Sequence, residues 1–155
     1  MSTERELARR LNLASYSTDY AYYLNEQRHG IKTSEMCLLY ALDDGQMHSQ
    51  NDICLQWEIP RSTLNTIIKQ WERQGYLRLT PIPGKSREMH ISLTEAGKEY
   101  ARPFLESVYK AEDEAIRKTV EKYSEAFVEA MEYFDKALRE AFERNNEMKE
   151  KNDNE

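Results

Sequence analysis

Six cations and a single acid make residues 59–87 the most chemically pointed stretch of this 155-residue chain. Arg61, Lys69, Arg73, Arg78, Lys85 and Arg87 stand there against Glu72 alone, a local charge of +5, whereas the remaining residues carry −11 and the whole chain −6. A compact basic segment in an acidic body suits a partner that carries phosphate, with the rest of the molecule repelled from it. The cations are interleaved with Ser62, Thr63, Asn65, Thr66 and Ser86, which are neutral hydrogen-bonding groups. Arginine pairs bidentately with guanine and asparagine with adenine. Arg61 and Asn65 are therefore candidate base readers, and Lys69 and Arg73, further along, are candidates for phosphate.

Other chemistries find little support. Cys37 and Cys54 are the only cysteines, lack close CxxC spacing, and are flanked by apolar residues, so they read as small buried hydrophobes. His29, His48 and His90 are scattered, none at helical spacing from a Cys or a second His, so neither a metal nor another cofactor is expected. No GxGxxG, GxxxxGK[ST] or GxSxG occurs, and no nucleophile, base and orienting group can be assembled into an enzyme. The start MSTERELARR is charged where a secretory segment would be apolar, and no apolar run approaches the roughly 18 residues that span a bilayer. A cytoplasmic protein with no membrane partner is the expectation.

The elements that must position the basic segment follow from spacing. With 5 Gly and 4 Pro in the chain, long helices are favoured over a turn-rich β fold. Leu7, Leu11, Ala14, Tyr20 and Leu24 predict a first helix over residues 4–27, stopped by Gly30. Ser34 is the expected cap of a second helix that ends at Gly45, and Ser49 with Asp52 forms a capping box for a third that ends near Glu58. Pro60 is placed at the first position of a fourth helix, in which Leu64, Ile67, Ile68 and Trp71 form a buried stripe until Gly75. The opposite face is Arg61, Ser62, Asn65, Thr66, Lys69 and Arg73. Residues 76–80 and 88–93 then read as strands joined through Pro83-Gly84, whose order favours a type II turn with Lys85, Ser86 and Arg87 near its tip. Such a hairpin after two short helices is a wing.

Thr94 is the expected cap of the next helix, which has Pro103 as a candidate kink. Beyond it Ile116, Val120, Tyr123, Phe127, Met131, Phe134, Leu138 and Phe142 recur at steps of three and four, a stripe about 39 Å long on one helix. That is more than a small domain can cover, so it reads as a subunit interface. The competing reading is a break near Ser124 with two helices folding back on each other inside one chain, and such a break suits dimerisation as well. The polar end of the chain, residues 149–155, is expected to be disordered.

Three segments in this order resemble the MarR (multiple antibiotic resistance regulator) family of bacterial winged helix-turn-helix transcription regulators. QNDICLQWE (50–58) resembles the first helix of the motif. IPRSTLNTIIKQWERQGYL (59–77) resembles the recognition helix with its closing glycine, and GKSREMHISLTEAG (84–97) the wing with the LTxxG start of the following helix. There are departures. Lys85 stands where family wings commonly carry the acid of DxR, and Glu58 where a small residue or glycine is frequent. SYSTDYAYYL in the first helix lacks the cysteine of peroxide-sensing members, and the scattered histidines do not match the zinc-sensing ones.

The resemblance implies a mainly α fold with a small β-hairpin wing, organised as an N-terminal dimerisation helix (1–33), a winged helix-turn-helix (34–97) and C-terminal dimerisation helices (98–148). It implies a homodimer that reads a pseudo-palindromic operator in double-stranded DNA, acting as a repressor relieved by a small aromatic or anionic effector. The wing arginine corresponds to Arg87. Tyr16, Tyr20, Tyr23, Met36, Tyr40 and Tyr100 are the candidate effector-binding residues, from the helices that line that site in relatives. Interface packing is the competing reading for these residues in a chain of ten tyrosines. The competing function is a winged-helix module that meets an acidic protein without sequence-specific DNA binding.

Overall fold

The computed structural model describes residues 3–85 and 88–153, and the chain divides into two compact units, Met1–Lys110 and Ala111–Glu155. The first holds α1 (Thr3–His29), α2 (Thr33–Leu42), β1 (His48–Ser49), α3 (Gln50–Trp57), α4 (Arg61–Arg73), β2 (Leu77–Pro81) and β3 (Met89–Leu93), and it ends within α5 (Glu95–Tyr123). The second comprises the rest of α5 and α6 (Ala126–Asp153). No helix is long and apolar enough to cross a membrane among the described residues.

The core of the first unit is built on Leu38, Leu39, Ile53, Leu64, Trp71 and Ile91, all fully buried. They come from α2, α3, α4 and β3, so each short helix of the basic region is anchored by its own apolar stripe. Where α4 ends, Gly75 takes a left-handed φ of +76°. Tyr76 then donates back to the Trp71 carbonyl at 2.9 Å and Gly75 to that of Glu72 at 3.0 Å, a Schellman-type closure that only glycine enters without strain.

The sheet is antiparallel, in the order β1-β3-β2, with Leu77 opposite Leu93 and Pro81 opposite Met89. Pro81 is tolerated because β2 is an edge strand, where a missing N–H breaks no ladder. Ile82-Pro83-Gly84-Lys85 closes as the expected type II turn, with Gly84 at φ +79° and the Lys85 N–H on the Ile82 carbonyl at 3.1 Å. Ser86 and Arg87 lie outside the described residues. Strand β1, paired through His48–Ile91 and Ser49–His90, was not legible in the sequence, since two residues carry no alternation.

Two helix starts differ from expectation. The start of α2 is Thr33, with Lys32 before it and Ser34 already inside the first turn. The reason is Glu35, whose carboxylate accepts the Lys32 N–H at 3.1 Å and so draws the start one residue earlier. Pro60 precedes α4 rather than opening it. Its ψ of 133° is extended while its carbonyl accepts the Leu64 N–H at 3.0 Å, so it occupies the half-in cap position.

The expected cap of α5 does form. Thr94 Oγ1 accepts the Gly97 N–H at 3.0 Å and donates to the Gly75 carbonyl at 2.5 Å. A Cβ at Gly97 would collide with the Tyr76 carbonyl oxygen and press on Leu93. The LTxxG signature is thus the junction that packs α5 against the end of α4. In the second unit the C-terminal region is two helices, broken at Ser124 with its left-handed φ of +59°. Among the described residues α6 has no buried side chain.

Candidate nucleic-acid interface

The exposed face of α4 carries Arg61, Ser62, Asn65, Thr66, Lys69 and Arg73, and Thr63 is half-buried at its edge. Leu64, Ile67, Ile68 and Trp71 turn inward, none more than 6% exposed. The polar face is therefore presented by a helix that the core prevents from rolling. Beside it a groove of about 220 Å³ runs between α4, the start of α3 and the sheet, lined by Gln50, Asn51, Arg61, Asn65 and Lys69 on one side and Leu79, Glu88 and Met89 on the other. A shallower depression of about 500 Å³ lies over Thr66, Lys69, Gln70, Arg73 and Gln74. Arg61, Asn65 and Lys69 are thus brought to one groove, and Arg73 lies one turn further on.

Gln50 and Asn51 were missed in the sequence. The signal was present as two amides directly after the Ser49 cap, at the start of the helix that precedes the basic one. Gln50 Nε2 donates to Asn65 Oδ1 at 2.5 Å, linking α3 to α4. Ser49 holds this start in place. Its N–H and hydroxyl both donate to Asp52 Oδ2, at 3.1 and 2.7 Å, and Asp52 N–H returns a bond to Ser49 Oγ at 3.1 Å. These Ser49 bonds hold the Asp52 carboxyl below its ordinary range.

Acids enter the groove more than the count over 59–87 implied. Glu72 lines it, and Glu88, one residue past that window, pairs with Lys85 at 2.7 Å and raises its ammonium pKa. Where an acid at position 85 would brace the wing arginine, a cation is itself braced by an acid across the turn. Both partners are well exposed, so water already screens the pair. Glu58, between α3 and α4, takes the left-handed conformation, φ 50° and ψ 30°. The turn is made there without glycine, at a backbone cost of about 1–2 kcal/mol.

The candidate effector residues fall into two groups. Tyr16, Tyr20 and Tyr23 are exposed on α1, the last two with ring centres 6.0 Å apart. Met36 is buried in the core. Tyr40 packs edge-on against Trp57 and Tyr109, while Tyr100 stacks on Tyr76 at 4.4 Å and meets Trp71 and Phe104 edge-on. Burial raises the Tyr100 hydroxyl pKa. Both cysteines are half-buried at the rim of the core, Cys37 with its thiol pKa raised by burial. No cluster that could hold a metal ion occurs among the described residues.

Comparison with known proteins agrees with this geometry. A sequence model of the MarR family matches residues 29–88. Among solved structures, NMB1585, a MarR family regulator from Neisseria meningitidis, is 23% identical, with a TM-score of 0.73 over 94% of this chain and 99% of that one. SPO1453, a MarR family transcriptional regulator from Silicibacter pomeroyi DSS-3, is 14% identical with a TM-score of 0.68 over 89% and 98%. NadR, solved with 4-hydroxyphenylacetate, is 18% identical with a TM-score of 0.65 over 91% and 95%. No curated protein matches the chain significantly.

Proposed function

We propose that the protein is a dimeric, sequence-specific DNA-binding regulator, because residues 29–88 match a sequence model of the MarR family, whose members regulate transcription and are not enzymes. The observation that carries this reading is α4, a helix locked by a buried stripe with an outward face of cations, amides and hydroxyls beside a wing. Arg61 and Asn65, in its first half, read base edges in the major groove, and Ser62, Thr63 and Thr66 support them. Lys69 and Arg73 bind phosphate. Lys85, Ser86 and Arg87 bring the wing to the adjacent minor groove or its phosphates, where a narrow groove concentrates negative potential.

The second copy covers the apolar faces of α1 and α6, and the two winged regions then meet half-sites about 10 base pairs apart or a multiple of one turn. Binding represses, and a small aromatic or anionic molecule relieves it. NadR, with its bound 4-hydroxyphenylacetate, is the analogy for that class of effector. Tyr16, Tyr20 and Tyr23 are the side chains of the candidate set best exposed to meet it, since Met36, Tyr40 and Tyr100 are engaged in the core.

The test is a competition titration of wild type, Arg61→Ala and Lys69→Ala, on duplexes enriched from a randomised library and on scrambled duplexes, at several salt concentrations. Arg61→Ala relaxes preference at one base pair by about 1–3 kcal/mol. Lys69→Ala weakens both duplexes alike and lowers the salt slope by about one unit. Equal loss on both duplexes for Arg61→Ala would leave α4 without a role in reading bases.

A further inference from the structure

We propose that Gln50 is a positioning residue for base readout: through its bond to Asn65 it couples the Asn65 amide to α3 and restricts how that amide faces DNA. This rests on the reading of α4 as the base-reading helix. An asparagine amide presents a donor on one side and an acceptor on the other, and turning it over exchanges them. A lone exposed Asn65 would sample both orientations and discriminate poorly. Gln50 Nε2 donates to Asn65 Oδ1 at 2.5 Å, and the reversed amide would set Nδ2 against Nε2, donor against donor. Reversal therefore requires both amides to turn together.

The backbone that carries Gln50 is itself held. Gln50 is the first residue of α3, immediately after Ser49, which is 5% exposed and tied to Asp52 by reciprocal bonds. Gln50 and Asn65 also line the same groove, so a duplex seated there removes water from the bond between them. In the free protein water competes for these amides and the bond contributes little, whereas in a desolvated groove it strengthens. The effect of Gln50 therefore falls on specificity and not on folding, although it need touch no base.

The experiment uses the full-length protein and duplexes selected by it from a randomised double-stranded library, each then varied one base pair at a time. Asn65→Ala identifies the base pair that Asn65 reads. Gln50→Ala should relax preference at that same base pair by about tenfold or less, with a melting temperature within about 2 °C of wild type. In the Asn65→Ala background it should change preference by less than about twofold, since the two residues act as one. Gln50→Glu, which offers an acceptor where the donor was, should turn the Asn65 amide and change the favoured base at that position. Unchanged preference in Gln50→Ala, or losses that add in the double variant, would overturn the inference while leaving DNA recognition intact. A wild type that enriches no sequence would overturn the DNA reading, and this inference with it.

Discussion

Helices α4 and α6 carry apolar stripes of nearly the same repeat, and their fates differ. Leu64, Ile67, Ile68 and Trp71 on α4 are at most 6% exposed, whereas Met131, Leu138 and Phe142 on α6 are 40–59% exposed. The stripe on α4 meets α2, α3 and the sheet, all from the same stretch of chain. No described side chain of α6 is buried, so its stripe stays uncovered. An amphipathic pattern thus states that a face must be covered without saying by what. The first unit supplies its own cover, and under the proposed function a second copy covers the other.

This contrast can be broken most forcefully at Trp71. Trp71→Ala should cost about 3–5 kcal/mol of folding stability, and the loss should be independent of protein concentration because the site is closed within one chain. Denaturant titration at two concentrations measures both. A concentration-dependent midpoint shift specific to this variant would show that α4, too, depends on a partner.

The next effect belongs to α6. Replacing Met131 and Leu138 together by Glu places charge where the second copy should seat, at a cost of about 3 kcal/mol, or roughly a hundredfold in dimer dissociation constant. Light scattering at micromolar concentration should find a dimer for wild type and a monomer for the double variant. A folded wild-type monomer would mean that the α6 stripe is covered by something else, and the contrast drawn here would fail.

The smallest effect sharpens the picture inside the first unit. Ser49→Ala removes the cap of α3 and should cost about 1 kcal/mol. Because the Ser49 bonds lower the Asp52 pKa in the folded chain, the stability they contribute is fully present above the ordinary carboxylate value of about 4. It is lost as pH falls through the lowered folded value. Asp52→Asn should flatten that part of the acid limb in a stability-against-pH series, and an unchanged acid limb would remove Asp52 from the account.

Much of the first unit around α4 and the hairpin was legible because its signals are local. Gly75, Pro83-Gly84 and Thr94 act within a few residues of themselves, and the stripe on α4 needs only a helical period. The two helix starts that differed, at Thr33 and Arg61, turned on which neighbouring group won a backbone donor or acceptor. Glu35 reached Lys32, and Pro60 kept an extended ψ. Sequence alone ranks such competitors poorly, because each is worth about a kcal/mol. Glu88 escaped for a different reason. It lies just outside the basic window, and only the hairpin turn carries it back to Lys85.

Residue order by itself determined the helices, the hairpin turn, the charge contrast and the outward set on α4, since all of these are properties of short stretches of chain. Tertiary structure decided the rest. It joined Gln50 to Asn65 across fifteen positions, set the Gly97 backbone against Tyr76 so that a side chain is excluded there, and divided the tyrosines between core and surface. The physical reason is that hydrogen bonds and packing act over a few ångströms of space, and distance along a chain becomes distance in space only when the fold closes.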